Sequence, residues 1–114
     1  RIIQISSING QKSQYGQANY AASKDGMHGF TISQEKENAR FGITVNTVSP
    51  GYIATDMVMA VPEEVRAKIV VNIPTGRLGT PEEIAYAVSF FMPDEAAWIT
   101  GANLSVNGGH YMGW

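Results

Sequence analysis

Three β-rich runs separated by helix-length segments constrain the fold of this chain more than any other feature. The predicted strands cover residues 2–6, 43–48 and 102–106. Helices are expected between them over residues 19–40 and 62–72, and from residue 81 to about residue 91. Strands that alternate with helices are joined by crossover connections, which produce a parallel sheet with helices on both faces. The sequence therefore predicts an α/β fold with a doubly wound parallel sheet.

Local signals predict where several of these elements begin and end. The polar, glycine-containing residues 7–17 predict a loop, and Gly42 is typical of the end of a helix. Thr80 and Pro81 indicate the start of a helix, and Glu83 stands where its side chain can reach back to the first residue. We expect residues 49–51 to break the second strand.

The composition excludes several classes of function. The chain has 114 residues, a formal net charge of −2 and no cysteine. This charge offers no basic surface for nucleic acid, and no disulfide or thiolate metal site can form. No run of about eighteen apolar residues predicts a membrane span. The absence of cysteine fits a reducing cytoplasm, so we expect a cytoplasmic protein with no nucleic-acid or membrane partner.

A tyrosine and a lysine four residues apart point most directly to chemistry. Tyr20 and Lys24 would lie on one face of the long predicted helix, one above the other. An ammonium beside a phenol favours the phenolate, which eases proton exchange near neutral pH. Ser7 follows the first predicted strand and can hydrogen-bond the same substrate oxygen. The alternatives are a solvated helix pair for Tyr20 and Lys24, and a simple turn for Ser7.

The predicted sheet brings two further segments to the same place. Ser7 follows the first strand and Pro50-Gly51 follows the second. The carboxyl ends of parallel strands share one edge, and nucleotides bind there in open α/β sheets. The sequence therefore predicts a ligand site at this edge.

The order and spacing of these motifs resemble the short-chain dehydrogenase/reductase family. The resemblance rests on Ser7, on the Tyr20-Ala-Ala-Ser-Lys24 motif and on the segment from Asn46 through Pro50-Gly51 to Thr55. Residues 80–85 and 100–109 extend it to the end of the chain. It implies that residues 1–114 form the C-terminal portion of a single Rossmann-type domain whose N-terminal, cofactor-binding half is absent. On that basis we expect the isolated chain to neither bind a dinucleotide tightly nor turn over.

The family pattern implies a role for each matching residue. Tyr20 would be the general acid, Lys24 would support it and hold the nicotinamide ribose, and Ser7 would stabilise the oxyanion. The resemblance implies cofactor contacts for Tyr20, Lys24, Pro50, Gly51, Ile53 and Thr55. It implies substrate contacts for Asn9, Gln14, Tyr15, Gln17 and Tyr52. Tyr15 and Tyr52 are individually as well explained as packing aromatics.

Within the family, the segments around residues 9–17 and 50–57 are similar to those of reductases that act on acetoacetyl-CoA. They imply NAD(P)H-dependent reduction of a 3-oxoacyl thioester, here acetoacetyl-CoA to (R)-3-hydroxybutyryl-CoA in polyhydroxybutyrate synthesis. Reduction of a 3-oxoacyl-(acyl carrier protein) in fatty-acid synthesis is the alternative, and a non-catalytic binding or assembly module is a more remote one. The family resemblance favours NADPH as the cofactor, and the sequence does not exclude NADH.

The remaining expectations concern the oligomeric state, inferred from the long helix, and metal binding, inferred from the histidines. In the family this helix packs against its counterpart in a neighbouring subunit, which implies a homo-oligomer, a tetramer by resemblance. The polar stretch 33–40 weakens that expectation, because buried amides without partners cost free energy. Asp25 is expected to point away from Lys24. Neither His28 nor His110 has a second ligand at metal spacing, so no metal site is predicted.

Overall fold

The computed structural model describes residues 1–12 and 15–113 of the chain. No helix in this described part is long and apolar enough to cross a membrane. The strands are β1 (Ile2–Ile5), β2 (Val45–Pro50) and β3 (Asn103–Val106). The helices are α1 (Ile8–Lys12), α2 (Ala18–Asn38), α3 (Asp56–Met59), α4 (Glu63–Val70) and α5 (Pro81–Phe90), with short 3₁₀ turns at Ala39–Phe41 and Asp94–Ala96.

The three strands form one parallel sheet in the order β1-β2-β3, which confirms the predicted α/β class. Ile5 lies opposite Val48, and Val48 lies opposite Leu104. All three strands therefore end at the same edge of the sheet, and the segments that follow them meet there.

The two faces of the sheet carry different helices. Successive residues of a strand point to opposite faces. On one face, the Thr47 hydroxyl lies 2.8 Å from the hydroxyl of Thr31 on α2. On the other face, Val48 packs against Ala87 of α5 and against Phe91, which follows this helix. Both faces of β2 are buried, as expected for the central strand of a doubly wound sheet.

Asn46 fixes β3 beside β2 with its buried amide. Its Nδ2 donates to the Ile99 carbonyl at 2.9 Å, and its Oδ1 accepts from the Ala102 N–H at 3.0 Å. The side chain is 1% exposed, so both bonds lie away from water. They satisfy the buried amide and anchor the turn that leads into β3.

The predicted start of α5 is confirmed in atomic detail. The Thr80 N–H donates to Glu83 Oε2 at 2.8 Å, and the Glu83 N–H donates to Thr80 Oγ1 at 3.2 Å. Arg77 Nη2 lies 2.6 Å from Glu83 Oε1. The Arg77 guanidinium and the Thr80 N–H stabilise the carboxylate and lower the pKa of Glu83 to about 2.

Two expectations about element boundaries are wrong, and one short helix lies where no element is predicted. Residues 7–17 are not all loop, because they contain α1, whose first turn is capped when the Asn9 N–H donates to the Ser7 hydroxyl at 3.2 Å. The second strand does not stop at residue 48 but continues to Pro50, which pairs with Val106. The short helix α3 was not predicted; the Thr55 hydroxyl accepts from an N–H of its first turn.

Candidate active site

Tyr20 and Lys24 lie beside each other at the start of α2. Tyr20 is in the first turn of this helix and Lys24 follows one turn later. The Lys24 ammonium lies 5.7 Å from the centroid of the Tyr20 ring. Tyr20 is 45% exposed, so its phenol is accessible to a ligand. The four-residue spacing thus brings an acid and a cation together on one helix face.

The Lys24 side chain is held at the end of β1. Its Nζ donates to the Ile5 carbonyl oxygen at 3.1 Å, and the Ser6 hydroxyl donates to the Lys24 carbonyl at 2.8 Å. Ser6 Oγ also lies 3.5 Å from His28 Nε2, one turn further along α2. Sequence analysis did not identify Ser6, although its place directly before Ser7 at a strand end could have suggested it. Asp25 is exposed, as expected, and Lys24 bonds to Ile5.

Gly10 sets the distance between α1 and α2. A Cβ atom at this position would lie 2.8 Å from both the carbonyl carbon and the Cβ of Lys24, and 2.9 Å from the Asp25 nitrogen. Only a residue without a side chain permits this approach. Ser7, which caps α1, is thereby held against the helix that carries Tyr20 and Lys24.

The predicted substrate residues divide into buried and exposed groups. Asn9 is only 9% exposed, and its Nδ2 donates to Gln17 Oε1 at 3.1 Å. Gln17 and Tyr15 are exposed at the surface before α2. Gln14 lies outside the described residues. These positions leave Gln17 and Tyr15 accessible to a ligand, whereas Asn9 is buried.

The segment after β2 packs against the segments around it. The Gly51 N–H donates to the Val106 carbonyl at 2.9 Å, and a Cβ on Gly51 would lie 2.7 Å from Asn107 Cβ. Ile53 forms a parallel bridge with Gly79. Pro50 and Gly51 are therefore fixed at the carboxyl edge of the sheet, the edge that also carries Ser7.

Tyr52 and Ile53 border a second space, on the α5 face of the sheet. Tyr52 stacks on His110 with ring centroids 5.7 Å apart and planes inclined by 30°. Both Tyr52 and Ile53 line a cavity of about 740 Å³ between α5 and β3. Ser7, Tyr20 and Lys24 do not line this cavity, and α2 lies on the opposite face. Tyr52 therefore borders the cavity on the α5 face, whereas the predicted catalytic residues lie outside that cavity.

The donors at the sheet edge fit a nicotinamide ribose and carboxamide. An ammonium has three N–H donors, and Lys24 uses one of them on Ile5, which leaves two for ribose hydroxyls. The Thr55 hydroxyl accepts from the Val58 N–H at 3.4 Å, so its own proton remains available to a carbonyl oxygen. The Ile53 side chain lies against Gly79, where a Cβ atom would be 2.8 Å from Ile53 Cδ1. No group of three or more possible metal ligands occurs in the described part of the chain.

Comparisons with known proteins agree with this arrangement. A family model described as enoyl-(acyl carrier protein) reductase matches residues 1–111. Acetoacetyl-CoA reductases of Cupriavidus necator and Allochromatium vinosum are 56% and 54% identical to the chain, over 99% and 98% of its length. A 3-oxoacyl-(acyl-carrier-protein) reductase of Escherichia coli is 54% identical over 98% of it. In each case the match covers 46% of the relative, so the chain spans about half the length of the curated relatives it matches. The parallel sheet, the matched family model and these identities show that the chain belongs to the short-chain dehydrogenase/reductase family.

Proposed function

We propose that this chain is the C-terminal part of an NAD(P)H-dependent reductase that acts on the C3 ketone of a 3-oxoacyl thioester. The observation that carries the proposal is the Lys24 ammonium, which is fixed to β1 and lies beside the accessible Tyr20 phenol. Ser7 supports it from the adjoining strand end. The missing length relative to the relatives would supply the remainder of the domain.

Each of the three side chains has a separate role in the proposed reaction. A nicotinamide held beside Lys24 and Tyr20 would supply the hydride for the ketone carbon, so that negative charge would develop on the ketone oxygen. Tyr20 donates its proton to that oxygen, and the Lys24 ammonium stabilises the phenolate that remains. The Ser7 hydroxyl already accepts a hydrogen bond from the Asn9 N–H and keeps its own proton, which it would donate to the developing oxyanion.

The cofactor would bind along the carboxyl edge of the sheet. We assign the ribose hydroxyls to Lys24 and Tyr20, and the carboxamide to Thr55 with Ile53 beside it. Pro50 and Gly51 would form the backbone wall, because contacts with β3 and the segment after it hold them in place. NADPH is the proposed cofactor, on the basis of the family resemblance.

Acetoacetyl-CoA is the substrate we propose, with the product used in polyhydroxybutyrate synthesis. Two relatives at 54% and 56% identity are named acetoacetyl-CoA reductases. Tyr15, Gln17 and Tyr52 would contact the acyl and thioester portions. A thioester of acyl carrier protein is the second candidate, because reductases named for that substrate are equally similar.

We also propose that the protein is a homo-oligomer in which α2 contacts a second copy. The centre of the solvent-facing side of α2 is formed by small residues, and a Cβ on Gly26 or Gly29 would meet nothing within 4 Å. Phe30 is 50% exposed beside them. The polar side chains of Gln34 and Asn38 are partly paired, since Asn38 Nδ2 donates to the Gln34 backbone carbonyl at 2.7 Å and to Gln34 Oε1 at 3.3 Å.

The proposed reaction is tested on the full-length protein. Oxidation of NADPH and of NADH is followed with acetoacetyl-CoA and with acetoacetyl-(acyl carrier protein). Tyr20→Phe removes the proton donor and is expected to lower kcat by about a hundred- to ten-thousandfold. Tyr86→Phe is the matched control, because Tyr86 lies on α5, on the other face of the sheet.

The outcomes test the mechanism, the substrate and the cofactor separately. Full activity of Tyr20→Phe would contradict the mechanism. A preference for the carrier-protein thioester would overturn the CoA assignment and leave the chemistry in place. A faster reaction with NADH would overturn the choice of NADPH.

A further inference from the structure

Asn9 is a buried residue that hydrogen-bonds both to Ser7, on the segment after β1, and to Gln17, which precedes α2. Its backbone N–H donates to the Ser7 hydroxyl at 3.2 Å, and its side-chain Nδ2 donates to Gln17 Oε1 at 3.1 Å. The residue is only 9% exposed, whereas its partner Gln17 is exposed at the surface. One residue thus joins the segment that carries the proposed oxyanion donor to the residue that precedes α2.

The bond from Asn9 decides which end of the Gln17 amide faces outward. A side-chain amide has one acceptor oxygen and one donor NH₂ group. Because Gln17 Oε1 accepts from Asn9, the Gln17 NH₂ is left to face the surface. The Ser7 hydroxyl is likewise left as a donor, since its oxygen accepts from the Asn9 N–H and its own proton is not used in that bond. Both groups therefore present donors.

A second feature of Asn9 indicates that its amide does more than fill space. Its Oδ1 is buried and has no hydrogen-bond partner among the residues that the structure describes. An unpaired buried acceptor costs free energy, which an apolar side chain of similar size would avoid. An amide at this buried position is explained if the Nδ2 bond to Gln17 is needed.

We propose that Asn9 is a positioning residue that orients the Gln17 amide so that its NH₂ donates to the thioester carbonyl oxygen of the substrate. This inference rests on the proposed function. A 3-oxoacyl thioester carries two carbonyl oxygens, on C1 and C3, and both accept hydrogen bonds. Ser7 and Tyr20 serve the C3 oxygen, and Gln17 serves the C1 oxygen. Asn9 thereby favours substrates with a carbonyl two carbons away from the reacting ketone.

The test reverses the polarity of the Asn9 side chain with little change in its size. In full-length Asn9→Asp, a carboxylate can only accept, so Gln17 turns its NH₂ inward and presents its oxygen to the substrate. We expect the KM for acetoacetyl-CoA to rise about three- to tenfold, the loss of one hydrogen bond. The KM for NADPH stays the same, and kcat changes less than the KM for acetoacetyl-CoA. A protonated carboxyl can donate again, so the defect is expected to shrink as the pH falls.

Two further variants keep the test independent of folding. Gln17→Ala removes the exposed donor without touching the buried residue and is expected to raise the same KM. In that background Asn9→Asp should have no further effect, because Asn9 acts through Gln17. Gln11→Glu is the matched control: it makes the same amide-to-carboxylate change in α1, where the Gln11 amide bonds to Ser105 on β3.

The outcomes distinguish this inference from the proposed function. If the parent protein fails to reduce acetoacetyl-CoA and its carrier-protein counterpart, the proposed function and the inference both fail. If the parent is active and Asn9→Asp or Gln17→Ala has the parental KM, only the inference is wrong. Additive effects of the two substitutions would also overturn it, since they would show that Asn9 acts independently of Gln17.

Discussion

Lys24 illustrates how neighbouring residues hold a single side chain in place. The Ile5 carbonyl at the end of β1 accepts from its ammonium, and Ser6 binds its backbone carbonyl. These two contacts hold the ammonium near the Tyr20 ring. The spacing of Tyr20 and Lys24 in the sequence predicts their common helix face. The contacts with Ile5 and Ser6 could not be predicted from spacing, because they depend on how α2 packs against β1.

Glu83 gives a residue-scale prediction about pH. The Arg77 guanidinium and the Thr80 N–H lower its pKa to about 2 from a usual value of 4.5. Because the pKa is lower in the folded protein, the carboxylate stabilises the fold above about pH 4.5 and this contribution is lost as the pH falls towards 2. We expect the stability difference between the parent and Glu83→Gln to narrow over that range.

The measurement is denaturant unfolding of both proteins at several pH values from 7 to 2.5. Glu82→Gln is the control, since this neighbouring carboxylate lies outside the capping box. The difference should also be smaller in high salt, because the Arg77–Glu83 pair is exposed. A difference that stays constant between pH 4.5 and 2.5 would contradict the assigned pKa shift.

At the scale of elements, the sequence predicts what is locally encoded. The start of α5 is recognisable because Thr80, Pro81 and Glu83 satisfy the helix end with their own side chains. The helix α1 is not recognisable in this way. Apart from Ile8, its residues are polar or glycine, so local propensity favours a loop. It forms where Gly10 packs on the backbone of Lys24, a contact between segments that sequence patterns do not show.

Gly10→Ala tests the packing of α1 on α2. The added methyl group would overlap the Lys24 backbone and side chain, so the two helices must separate. We expect a loss of stability of about 1–3 kcal/mol, typical of overpacking. The activity of the full-length protein should fall as well, because Ser7 moves away from Tyr20. Thermal unfolding and kcat measure the two effects, and parental values for both would show that α1 tolerates a side chain there.

At the scale of the whole molecule, the central strand β2 contacts helices on both faces of the sheet and ends at the carboxyl edge. β2 contacts α2 through Thr47 and α5 through Val48, and the residues that we propose to be catalytic lie on the α2 side. The sequence predicts this parallel architecture because its strands and helices alternate. It does not predict that the substantial cavity between α5 and β3 lies on the face opposite α2, since that depends on which helix covers which face.

The solvent-facing side of α2 leads to a prediction about assembly. If this side contacts a second copy, a charged side chain at its centre must be buried without a partner, which costs free energy. Gly29→Glu introduces such a charge in open space on the protomer, so the fold of one copy is preserved. Sedimentation velocity of the full-length protein should therefore show a smaller species than the parent. Phe41→Glu, an exposed site beyond α2, is the control and should sediment like the parent. A parental sedimentation coefficient for Gly29→Glu would place the contact between copies on another surface.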